Sequence, residues 1–143
     1  MSQVRSARGN GDGGDGEELS LQADPRWHQA ITLFNGGDWY ACHDQLEDLW
    51  HETQGPMRPV LQGLLQIAVA QLHLERGNLH GATVLLGEGL GRLRGSSDRA
   101  LGLDLRSLQE TASDRLTRLQ RGDGLDGCAS LTLQPCQPRP SVH

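Results

Sequence analysis

GDWYACHDQL, residues 37–46, and GNLHGATVLL, residues 77–86, are the stretches whose reading sets the architecture. Each opens on a glycine, continues with a residue able to cap a helix (Asp38, Asn78), and then places large apolar and small residues at three- and four-residue spacing. A helix that stops at glycine and restarts one residue later is a helical hairpin, and the offset of 40 residues repeats the device. Two units are fewer than the roughly three that a solenoid needs, so the pattern is only weakly tetratricopeptide-like.

Working outward, Asp24-Pro25 marks a helix start and Asn35-Gly36-Gly37 its end. Asp38 opens a second helix with Trp39, Cys42, Leu46, Leu49 and Trp50 on its apolar face. After the loop TQGPMRP a long helix runs over about 59–76, closed by Gly77. Asn78 caps a fourth helix, ending at Gly95, and Asp104 starts a fifth with Leu105, Leu108, Ala112, Leu116 and Leu119 on one stripe. The fourth contains Gly81, Gly87, Gly89 and Gly91, each about 1 kcal/mol worse than alanine in a helix. Close approach of a neighbouring helix explains such a cost, and Gly81 is the position expected to need it.

The expected fold is therefore all-α: a five-helix bundle of two helical hairpins plus a C-terminal helix, over residues 24–120. Residues 1–23 are polar, acidic and glycine-rich, a composition that buries too little surface to offset chain entropy, and are expected to be a disordered tail. The same expectation holds for 121–143, where glycine and proline return.

Formal charge is −5, from 13 arginines and 18 acids, with no lysine. No segment is basic enough to track a phosphate backbone, which argues against nucleic acid as a partner. The longest apolar run, VLQGLLQIAVAQLHL (60–74), is too short and too rich in glutamine to span a bilayer, so no membrane segment is expected. Cys42, Cys128 and Cys136 form no C-x-x-C pair and leave an odd count, which fits a reducing cytoplasm better than a disulfide framework.

The chemistry concentrates in DWYACHDQLEDLWHE (38–52). On a helix His43, Glu47 and Trp50 share one face, at i, i+4 and i+7. On the next helix Gln62, Gln66 and His73 fall within about 40° of one another by the 3.6-residue period. Antiparallel packing of two such helices would let the faces meet. Three readings then stand open. The cluster is a satisfied structural network of carboxylate, imidazole and amides. Alternatively His43, Glu47 and His73 are three ligands of a divalent metal, which would make the protein a metal-dependent hydrolase, although no established metal spacing is present. Or the six residues line a metal-free pocket for a small polar or anionic ligand. A helical-hairpin adaptor for another protein's helix, or a homodimer, is the alternative outside this cluster. Phe34 and Trp39 read as core anchors, Cys42 as a small buried hydrophobe, and His28, His51 and His80 as exposed.

FNGGDWYACHDQLEDLW, then QGLLQIAVAQLHLERGNLHGATVLL, resembles the domain-of-unknown-function 309 family, whose pattern is F-N-x-G-x-Y-x-x-x-H-E-x-L-E-x-x-W, Q-G-L-I-Q-x-A-V-A-x-x-H and G-N-x-x-G-A. The likeness covers about residues 26–94. Asp44 stands where the family usually has glutamate, Trp39 where it usually has tyrosine. The resemblance implies a compact all-helical domain of bacteria and archaea with no established activity.

Overall fold

The computed structural model describes residues 16–136. Its helices are α1 over 16–23, α2 (Pro25–Asn35), α3 (Trp39–Glu52), α4 (Arg58–Glu75), α5 (Leu79–Arg94) and α6 (Leu105–Arg121). A minimal antiparallel hairpin, β1 (Arg99–Ala100) and β2 (Leu103–Asp104), joins α5 to α6. From α3 onward each helix packs on the one before it. The described residues are thus all-α apart from the hairpin, with one helix more than the expected five. No helix among the described residues is long and apolar enough to cross a membrane.

The two hairpin turns are the same object. Gly37 and Gly77 hold φ of 76° and 78°, the left-handed region that favours glycine. In the first turn the Asp38 amide donates to Leu33 O and the Gly37 amide to Phe34 O; in the second, Asn78 donates to His73 O and Gly77 to Leu74 O. This is the Schellman end, which satisfies the last carbonyls of one helix and places the next residue at the start of another. Asn78 Oδ1 then accepts from the Gly81 amide at 2.9 Å, whereas Asp38 makes no such bond. Asp24 caps α2 through the Arg26 amide at 2.8 Å, and Asp104 caps α6 through Ser107 at 3.0 Å.

Helix α4 is the central element, buried on several sides by Leu61, Leu64, Ile67 and Ala68. Its crossing with α5 runs backbone to backbone: a Cβ on Gly89 would meet Gly63 O at 2.7 Å, and one on Gly63 would meet Gly89 O at 3.0 Å. The close approach therefore belongs to Gly63 and Gly89 and not to Gly81, whose Cβ would meet only the side chain of its own cap, Asn78. Hydropathy could not distinguish Gly89 from Gly81, because both are glycines of the same amphipathic helix.

The boundaries expected at 24 and 120 are too narrow. In α1, Leu21 is buried, and Glu17 accepts from the amides of Gly55 and Met57, both at 2.7 Å. Glu18 accepts from the Leu101 amide. The two-residue hairpin turn puts Leu101 at φ 56°, a conformation leucine rarely adopts, with its side chain buried and its amide held by Glu18. Acidity that reads as a tail in composition is, in the fold, a set of acceptors for loop amides that lack local partners. At the other end residues 128–136 fold back, burying Leu131 and Leu133. The remaining residues expected to be disordered, 1–15 and 137–143, lie outside the described part.

Candidate functional site

His43 and Glu47 do stand together on α3, Nε2 and Oε2 4.0 Å apart, with side chains 25% and 46% exposed. His43 Nδ1 lies 3.3 Å from Asp44 Oδ1 without making a hydrogen bond, and the Tyr40 ring stands edge-on at 5.8 Å. Trp50 is half-buried, and the Arg58 guanidinium lies 4.0 Å over its ring. Arg58 Nη1 also donates to Trp50 O at 2.8 Å and Thr53 O at 3.0 Å, closing the C-terminus of α3 with a cation where the helix dipole favours one. The indole is a platform for this cap.

The glutamine edge of α4 does not join that group. Gln66 faces α5: its Oε1 accepts from Arg92 Nε at 2.9 Å and its Nε2 donates to Glu88 Oε1 at 3.3 Å. His73 Nδ1 takes the Asn78 amide at 3.0 Å, inside the α4–α5 turn. Gln62 is partly exposed and makes no side-chain hydrogen bond among the described residues. Angular alignment hid an axial separation. At about 1.5 Å per residue, His73 lies roughly 10 Å along α4 from Gln66 and 16 Å from Gln62. The expected convergence of His43, Glu47, Gln62, Gln66 and His73 is thereby corrected to three separate local arrangements. Among the described residues no three His, Cys, Asp or Glu side chains are grouped to hold a metal ion, so His43, Glu47 and His73 do not form a ligand set. Cys42 is fully buried, its Sγ donating to Ala30 O at 3.4 Å, and burial with the nearby Asp38 charge pushes its pKa up to about 12. It is an inert core thiol, as its neighbours in sequence suggest.

A sizeable concavity lies elsewhere. A cleft of about 830 Å³ opens between α1, the first turn of α4, the last turns of α5 and β1. Arg92, Ser96, Ser97 and Arg99 supply its donors, Glu18 and Glu88 its acids, and Met57, Val60 and Ala100 its apolar floor. Both acids are engaged, Glu18 by the Leu101 amide and Glu88 by Gln66. Among the described residues neither Arg92 nor Arg99 has a carboxylate within 4.0 Å. Gly91 forms part of the wall, and a Cβ there would meet nothing within 4 Å. The sequence signal was RLRGSSDR (92–99) following a helix with more glycine than its packing requires; only the position of α1 and β1 turns it into a cleft.

The described residues form a small helical domain with a cleft of mixed polar and apolar lining and a partly exposed histidine–glutamate pair. Residues 27–85 match the family model described as Domain of unknown function (DUF309). No curated protein matches the chain.

Proposed function

We propose that this domain binds a small polar ligand carrying an acidic group, and that it does so in the cleft between α1, α4, α5 and β1. The observation that carries the reading is Gly91: a glycine in a regular helix, with no backbone or side chain pressing on it, that keeps one wall of the cleft open. The donor set supports the ligand's character. Gln66 takes the Nε of Arg92, which leaves the two terminal nitrogens of that guanidinium as a fork suited to a carboxylate or phosphate. Arg99 and the hydroxyls of Ser96 and Ser97 line the same space. Docking of a partner helix has less in its favour. Leu79 and Val84, the exposed large apolar residues of α5, are five positions apart and so lie about 140° apart round the helix.

The test is thermal unfolding of the full chain with inorganic phosphate and with citrate as probes, together with native mass spectrometry of the protein as purified. A ligand of the native state raises Tm by several degrees once its concentration far exceeds Kd. The expected result is such a rise, or a co-purified mass, in the wild type and its loss in Gly91→Phe, which fills the cleft. A response unchanged in Gly91→Phe and in Arg92→Gln would show that the cleft is not the site.

A further inference from the structure

Residues 131–136 are held as a bound peptide would be held. The segment is extended and alternates, with Leu131 and Leu133 buried and Gln134 turned outward. Asn35, the last residue of α2, grips the main chain of Leu133 at both ends of its side-chain amide: Nδ2 donates to Leu133 O at 3.0 Å and Oδ1 accepts from the Leu133 amide at 2.6 Å. The β-hairpin takes the next residues. The Asp104 amide donates to Gln134 O at 2.8 Å, the Cys136 amide donates to Gly102 O at 2.9 Å, and Leu103 bridges Pro135 antiparallel. Main-chain bonds give such a contact affinity, and two pockets for alternate side chains give it specificity, which is the logic of strand addition to an exposed edge.

The tether to this segment is irregular, and it touches α6 through the side chains of Arg115, which donates to Ala129 O at 3.1 Å, and Asp114, which accepts from Cys128 Sγ at 3.7 Å. Between the end of α6 and Ser130 the described chain has no helix or strand and contains Gly122, Gly124 and Gly127. Asn35 and the hairpin read main chain and not side-chain charge, so nothing in the groove requires the peptide to come from the same molecule. A connector free of helix and strand that joins a segment to its own groove is the arrangement from which identical elements exchange between protomers.

We propose that the groove formed by Asn35, the β-hairpin and the surrounding core is a receptor for an extended Leu-x-Leu-x-Pro segment, and that a second copy of this chain supplies that segment by reciprocal exchange. In the single chain the segment occupies its own groove and competes with any added peptide at a tethered, effectively millimolar concentration. This inference does not depend on the cleft.

Two full-length variants separate the two halves of the contact. Leu131→Ser/Leu133→Ser spoils the segment and leaves the groove; Asn35→Ala spoils the groove and leaves the segment. A fluorescent peptide of residues 130–136 is expected to bind the first variant, and to bind it at least tenfold more weakly once Asn35→Ala is added. Mixing the two variants is expected to give a heterodimer, seen by analytical ultracentrifugation, that neither forms alone. In the wild type, millimolar peptide is expected to speed hydrogen exchange at the Leu133 and Cys136 amides by displacing the cis segment. That last measurement decides the matter if a variant does not fold. Exchange at those amides that is unmoved by peptide overturns the proposal, as does a folded first variant that binds no peptide and makes no heterodimer.

Discussion

Gly89 and Gly91 stand two residues apart on α5, and their surroundings are opposite. Gly89 faces α4 so closely that a methyl group would strike the carbonyl of Gly63 and the side chain of Ile67, at 2.7 and 2.9 Å. Gly91 faces a cleft, and its missing side chain would touch nothing. Both weaken the helix by about 1 kcal/mol relative to alanine. At Gly89 that cost is offset by the packing that contact of two backbones allows, through dispersion and weak Cα–H···O contacts. At Gly91 the fold gains nothing in return. A glycine without a packing reason beside the cleft is what the binding site proposed above would require, a local cost in stability that keeps its wall open.

The strongest way to break this comparison is Gly89→Ala. Overpacking against a backbone carbonyl cannot relax by rotamer change, and the variant should lose about 2–3 kcal/mol, roughly 10 °C in Tm. An unchanged Tm would mean that the helices do not touch there. Next comes the loop that precedes α4. Glu17→Ala removes the acceptor of two loop amides and should cost about 2 kcal/mol, with faster hydrogen exchange at Gly55 and Met57. Exchange that stays slow would show that α1 does not hold the loop. Gly91→Ala should move stability the other way, by about 1 kcal/mol, and a loss in denaturant titration would refute the open wall.

Smaller effects sharpen the picture. Hydrogen bonds from Arg26 hold the carboxyls of Asp24 and Glu52 below their ordinary range. Their contribution is therefore complete at neutral pH and is lost as pH falls through the lowered folded values, below about 4. Arg26→Gln should lower stability slightly at neutral pH, converge with the wild type in acid and so flatten the acid limb by the same small amount, since exposed ion pairs contribute little. The smallest change is expected at the pair that dominates the sequence motif. His43→Gln and Glu47→Gln should each stay within about 0.5 kcal/mol, because the two groups are partly exposed and 4.0 Å apart. A loss of several degrees in either variant would restore a structural network at that face.

Much of the fold was legible because its signals are local. Asp24-Pro25, Asn78 and Asp104 announce helix starts through their own side chains, and Gly37 and Gly77 announce ends through a backbone conformation that favours glycine. The i, i+4 pair His43–Glu47 was legible for the same reason, since one turn of helix fixes its spacing. The grouping of Gln66 and His73 with that pair was not. Helical angle can be read from sequence, but it does not say which of two flanking helices a side chain will meet, and Arg92 on α5 took Gln66. The ordering of α1 was invisible as well, because Glu17 and Glu18 find their partners 38 and 83 residues away.

By itself the sequence determined where helices begin and end and which stripes are apolar, because capping, φ preference and 3.6-residue periodicity act over a few residues. Tertiary structure alone decided which glycine is a contact and which is an opening. It also decided that an acidic N-terminal segment caps a distant loop, and that Asn35 clamps a returning strand. Those outcomes depend on pairings between amides, carboxylates and backbones far apart in the chain, and such pairings exist only once the helices have packed.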